Sequence, residues 1–145
     1  GGALGSLIGG WLANLLGRRT TYFLISVTTL LICEWIYFFL DPRHAWFSEM
    51  VFVAGFVSTI FFGWLPLYLP ELFPTATRAL GTGVSFNMGR VLTAAGVLGT
   101  GALVNAFGGD YAAAGRINSL VYAAGMIIIL FAPDTTGKRL DEAKA

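Results

Sequence analysis

The chain has 145 residues, 56% of them hydrophobic and 12% charged, with a formal net charge of +1 and a mean hydropathy of +0.72. A water-soluble domain carries about a quarter charged residues, so this composition excludes a chain whose whole surface faces water. The small net charge and the lack of a basic stripe exclude a nucleic-acid partner. With Cys33 as the only cysteine, an internal disulfide and a multi-cysteine metal site are excluded as well.

The apolar runs do not alternate as barrel strands do, and peptide groups in hydrocarbon must be satisfied within their own segment. The expected fold class is therefore all-α, a polytopic membrane helix bundle. A helix of about 20 residues crosses the hydrocarbon, and that length marks five spans, at 1–16, 21–40, 50–69, 79–107 and 117–132, followed by a tail at 133–145. The first span opens without an initiator Met or a charged leader and reads as a helix already in progress, continuing from upstream chain. It ends at Gly17-Arg18-Arg19, and the second ends at Asp41-Pro42-Arg43-His44. Pro70, Pro74 and Arg78 break the chain after the third span, Gly108-Gly109-Asp110 after the fourth, and Pro133-Asp134 after the fifth.

Arg18, Arg19, Arg78, Lys138, Arg139 and Lys144 fall on one side of these spans, and only Arg43 and Arg116 on the other. The positive-inside bias puts the richer side, with the C-terminal tail, in the cytoplasm. Small residues recur every fourth position at Gly1, Gly5, Gly9 and Ala13, at Gly2, Ser6 and Gly10, and at Gly81, Ser85, Gly89 and Thr93. Such stripes let helix backbones approach closely and are expected to be bundle-packing faces, equally suited to helices that slide or rock. Tyr22, Tyr37, Trp46, Tyr68 and Tyr111 lie near span ends, where amphipathic rings anchor in the headgroup zone.

Arg90 is the most informative single residue. It sits about 16 Å into the fourth span at a rise of about 1.5 Å per residue, too deep to reach water easily, so it must face a cavity or a partner. Gly83, Asn87, Arg90 and Ala94 share one helical face by spacing. A guanidinium pairs with carboxylate in bidentate fashion, which makes Arg90, assisted by Asn87, a candidate site for an anionic solute; the alternative is an ion pair with an acid on a neighbouring helix. Glu34 is the one acid well inside a span and reads either as a proton carrier or as a pairing group. Trp64 and Tyr68, four residues apart around Pro66, read as packing or as rings flanking a solute. His44 is expected in a solvated outer loop, and Cys33 in packing.

Three segments resemble signatures of the major facilitator superfamily. Gly10-Trp11-Leu12-Ala13-Asn14-Leu15-Leu16-Gly17-Arg18-Arg19 is similar to its G-x-L-A-D-x-x-G-R-R loop. Pro70-Glu71-Leu72-Phe73-Pro74-Thr75-Ala76-Thr77-Arg78 resembles the P-E-x-F-P-T-x-x-R segment of its sugar and organic-acid porters, including sialate-like and aromatic-acid proton symporters. Pro133-Asp134-Thr135-Thr136-Gly137-Lys138-Arg139-Leu140-Asp141-Glu142 resembles the P-E-T-K-G-x-x-L-E-E element after the twelfth helix. The departures are Asn14 for the loop's acid, and Asp134 and Thr136 for the usual Glu and Lys. The resemblance implies helices eight to twelve of a twelve-helix transporter, with Arg18, Arg19, Glu71 and Arg78 as gating charges at the cytoplasmic end. The eleventh helix of that family lines the path between the two halves, which agrees with a solute role for Arg90.

The expected function is secondary active transport of a small polar metabolite, an organic acid or a sugar, by proton-coupled alternating access in the plasma (inner) membrane. The expected partners are the solute, protons, lipid and an N-terminal half of the same transporter, with no cofactor, metal or nucleic acid. The alternatives are an uncoupled facilitator of the same fold and a non-transporting membrane scaffold or receptor. A membrane enzyme is disfavoured, because no metal-protease motif, nucleophile elbow or intramembrane aspartate pair is present.

Overall fold

A computed structural model describes residues 1–137. The basic tail residues Lys138, Arg139 and Lys144 lie outside the described residues. Five helices follow one another: α1 (Gly2–Leu16), α2 (Arg18–Phe39), α3 (Phe47–Glu71), α4 (Arg78–Ala106) and α5 (Tyr111–Phe131). By length and composition α2, α3 and α5 can cross a membrane, whereas α1 is a shorter apolar helix of 15 residues. At 29 residues α4 is the longest, but its glycines, hydroxyls, Asn87 and Arg90 dilute its hydropathy.

Two boundaries differ from the sequence expectation for identifiable reasons. Helix α5 starts at Tyr111, six residues before the expected 117, because Asp110 caps it by accepting the Ala113 N–H at 3.0 Å. Arg116, which reads as loop punctuation in sequence, lies inside the helix with its guanidinium 4.5 Å above the Phe38 ring. Helix α2 starts at Arg18, because Gly17 alone turns the chain out of α1. Its φ of 87° favours glycine, which has no Cβ to strain.

Helix α1 lies against α3 and α2 against α5, with α3 also packed on α2. The α1–α3 seam is backbone on backbone. A Cβ added to Gly5 would stand 2.0 Å from the Phe56 carbonyl oxygen, one on Gly9 would stand 2.3 Å from that of Ile60, and one on Gly63 would stand 2.2 Å from that of Ser6. The small-residue stripe of α1 is thus a true contact face. The matching stripe of α4 is not: nothing lies within 4 Å of a Cβ on Gly89, and Gly81 meets only the Phe73 ring. Helix α4 touches α3 and α5 and has no buried residue.

Large apolar side chains point outward all round, including Leu7, Leu98 and Phe131 at 78%, 80% and 86% exposure. Such a surface suits hydrocarbon rather than water. Of the tyrosines and tryptophan expected in the headgroup belt, Tyr37, Trp46 and Tyr111 are exposed. Tyr68 is instead buried and donates to the Pro133 carbonyl at 2.8 Å. Tyr22 packs on Phe61 and Trp64, with ring centroids 4.9 Å away in each case.

Candidate functional site

Helices α3, α4 and α5 enclose a groove of about 890 Å³. Arg90, close to the middle of α4, lines it and makes no ion pair or hydrogen bond among the described residues. Aromatic rings form much of the wall: Phe61 and Phe62 from α3, Phe86 from α4 and Tyr122 from α5. Phe61 and Tyr122 lie nearly parallel, 7° apart, with centroids at 6.3 Å. Ser58, Thr59, Ser85 and Thr93 add hydroxyls. Thr59 and Thr93 donate their protons to the Gly55 and Gly89 carbonyls of their own helices, at 2.6 and 2.9 Å, so what they offer the groove is acceptor lone pairs. Pro66 has no N–H, which leaves the Phe62 carbonyl without its usual donor one turn on. A single guanidinium among rings and acceptors suits a solute with one anionic head and a flat apolar body.

The other two residues expected at the solute lie elsewhere. Asn87 lines a separate shallow groove with Gly83, Val84 and Met88, and its amide donates to the Gly83 carbonyl at 2.8 Å. Trp64 is 2% exposed and stacks on Tyr68 with centroids 4.6 Å apart. Its indole N–H donates to the Arg18 carbonyl at 2.8 Å. It is a pillar between α3 and the start of α2, with no face on the groove.

The motif charges meet at one end of the bundle. Arg18 is clamped in bidentate fashion by Glu71, Nη2 to Oε1 at 2.8 Å and Nε to Oε2 at 3.0 Å, and both side chains are more than nine-tenths buried. Its third nitrogen donates to Asn14 Oδ1 at 2.8 Å. Glu71 already neutralises this guanidinium, so Asn14 supplies an acceptor without bringing in a second negative charge. The segment after α5 closes the cluster. Thr135 donates to Glu71 Oε2 at 2.5 Å, and the Thr136 hydroxyl accepts the Arg18 backbone N–H at 3.0 Å, filling an orphan donor at the start of α2. Hydrogen bonds from the Thr136 hydroxyl and backbone N–H hold the Asp134 carboxyl below the usual carboxylate range, so this turn keeps its charge until well below neutral pH.

Arg19 and Arg78 cap helix ends. Arg19 reaches the Ile129 carbonyl at 3.2 Å and also bonds that of Leu130, at the end of α5. Arg78 donates to the Pro70 carbonyl at 3.1 Å and the Thr75 hydroxyl at 3.4 Å. Cations suit these ends, where carbonyls lack helix partners. Glu34 lies at the α2–α5 interface in hydrogen-bond contact with Ser119.

Sequence reasoning passes over Thr135 and Thr136 as binding groups, and the four groove rings as walls. The rings carry no local signal in so aromatic a chain. For the hydroxyls on α4 the signal exists: Ser85, Gly89 and Thr93 repeat every fourth residue, and all three line the groove.

A helical bundle with an outward apolar surface, a mid-helix cation on a groove and charged groups gathered at one end fits a membrane-embedded bundle of the major facilitator class. The chain belongs to the sugar (and other) transporter family, which it matches over residues 1–145. It is an integral membrane protein of a transporter family, not an enzyme. It is 34% identical over 88 residues to the cis,cis-muconate transport protein of Acinetobacter baylyi, covering 61% of this chain and 21% of that protein. A probable 4-methylmuconolactone transporter of Cupriavidus pinatubonensis is 32% identical over 130 residues, 87% of this chain and 29% of that protein. The synaptic vesicle 2-related protein of Rattus norvegicus is 36% identical over 87 residues, 60% of this chain and 16% of that protein. The chain thus spans about a third or less of the length of these relatives. No solved structure matches.

Proposed function

We propose that the chain is part of a secondary transporter that carries a small organic acid by proton-coupled alternating access, with Arg90 binding the solute carboxylate. One observation carries this reading: Arg90 stands at mid-helix on an aromatic groove, without a partner among the described residues. A charge at that depth is expensive unless it serves a pathway or a ligand. The relatives named for muconate and methylmuconolactone support an acid over a sugar. The groove would form one wall of the solute path, facing the other half of the full-length transporter. The end that carries Arg18, Glu71 and Thr135 is assigned to the cytoplasm of a plasma (inner) membrane, where the Arg18–Glu71 clamp holds one of the two access states. Asn87 and Trp64 are left out of the solute contact.

The test is uptake by the full-length protein in proteoliposomes. Arg90→Ala is expected to lower carboxylate uptake about 10- to 100-fold, the scale of one lost charge-assisted hydrogen bond, with membrane insertion unchanged. Arg90→Lys, which keeps the charge and loses the fork, is expected to fall between. Equal uptake by wild type and Arg90→Ala would overturn the assignment. An imposed inward proton gradient is expected to speed uptake by the wild type; indifference to it would make the protein a facilitator.

A further inference from the structure

The groove wall carries Ser58, Thr59, Ser85, Arg90, Thr93 and Tyr122 as its polar side chains. Ser58, Thr59 and Thr93 donate their protons to carbonyls of their own helices. Arg90, Ser85 and Tyr122 make no hydrogen bond among the described residues. Ser85 stands on α4 with Arg90, so the free donor that reaches the groove from a facing helix is the Tyr122 phenol.

Tyr122 lies near the middle of α5, as Arg90 lies near the middle of α4. Its half-buried ring is held in place from α3, 7° from parallel to Phe61 with centroids 6.3 Å apart. Phe61 in turn packs on Tyr22 of α2 at 4.9 Å. Packing of this kind needs a ring and no hydroxyl. A phenol taken out of water without a partner costs free energy, which is why such a hydroxyl is normally met by an acceptor. Tyr68 follows that rule through the Pro133 carbonyl at 2.8 Å. Tyr122 has only the groove to meet it.

We infer that Tyr122 is the second polar contact of the solute, donating its phenolic proton to an oxygen on the solute's body; this rests on the reading that Arg90 takes the carboxylate. The solute class that follows is a flat acid with an acceptor oxygen, a carbonyl or a further carboxylate, set away from the carboxylate that Arg90 holds. Arg90 fixes the charge and Tyr122 selects the body. An acid of the same shape without that oxygen leaves the phenol unmatched and binds less tightly. A solute held at both points bridges α4 and α5 across the groove.

Calorimetric binding of para-acetylbenzoate and para-isopropylbenzoate to the full-length protein in detergent tests the assignment, because the two acids match in shape and differ in one acceptor oxygen. The wild type is expected to bind the acetyl acid roughly 3- to 10-fold more tightly, the scale of one hydrogen bond. Tyr122→Phe, which keeps the ring and its stacking, is expected to bind both acids and to lose the preference, while Ser85→Ala keeps it. Binding of neither acid by the wild type, equal binding of the two, or a preference that survives Tyr122→Phe overturns the inference, as does a preference that Ser85→Ala removes. Should Tyr122→Phe not insert, the wild type and Ser85→Ala decide together. Arg90→Ala reports on the carboxylate separately. It is expected to weaken both acids alike, and unchanged binding there would sink the Arg90 reading whatever Tyr122 does.

Discussion

Replacing Gly9 by leucine is expected to pry α1 away from α3 and to cost more than the about 1–3 kcal/mol of ordinary overpacking. Side-chain repacking cannot relieve the clash, because the atoms facing a Gly9 Cβ are backbone: the Ile60 carbonyl oxygen at 2.3 Å, Gly63 Cα at 2.8 Å and the Trp64 nitrogen at 2.9 Å. The whole α1–α3 seam has to open, and with it the indole bond that ties Trp64 to the start of α2. Thermal unfolding of the full-length protein in detergent measures the loss. Gly89→Ala is the control: it sits on an equivalent stripe of α4 with nothing within 4 Å, and should leave stability unchanged or raise it by about 1 kcal/mol through helix propensity. Similar melting of Gly9→Leu and wild type would contradict the close packing.

Glu71→Ala is expected to destabilise the protein by about 3–5 kcal/mol, the usual loss when one member of a buried ion pair is removed. Arg18 would keep the Asn14 amide oxygen, a neutral acceptor, and lose both carboxylate oxygens that neutralise it. The Thr135 hydroxyl would lose its acceptor in the same step, leaving the Tyr68–Pro133 bond to hold the chain after α5 to α3. Removing both charges with Arg18→Met and Glu71→Leu should cost much less than either single removal, because no charge is then buried alone. A double-mutant cycle read by thermal unfolding checks this, and additive losses would mean the two side chains do not interact. Shifting the balance between access states needs only a few kcal/mol, so Glu71→Ala should also change the proportion of outward- and inward-open forms.

Much of this architecture is legible in the amino-acid order because its physics is local. Apolar runs without alternation require helices, and they place Arg90 near the middle of one of them. The gathering of Arg18 and Glu71 follows from family motifs rather than from spacing. What the order does not carry is which neighbour a face meets. The stripes of α1 and α4 look alike, yet one is sealed against Gly63 and the other opens on the groove. Asn87 and Arg90 are near neighbours in spacing but stand about 60° apart around the helix axis, and the groove edge falls between them. Trp64 and Tyr68 form the expected aromatic pair, but the Arg18 and Pro133 carbonyls draw their polar tips toward the charged end. Thr136 caps a helix that begins 118 residues earlier in the chain, a relation no local pattern records.

Solute protection of engineered cysteines tests the groove most directly. In full-length protein with Cys33 and every other native cysteine replaced, Thr93→Cys lies on the groove wall and Asn87→Cys on the neighbouring face of the same helix. A transported carboxylate is expected to slow thiol labelling at position 93 and leave position 87 unaffected. Equal labelling at 93 with and without solute, or protection at 87 alone, would place the solute somewhere other than beside Arg90.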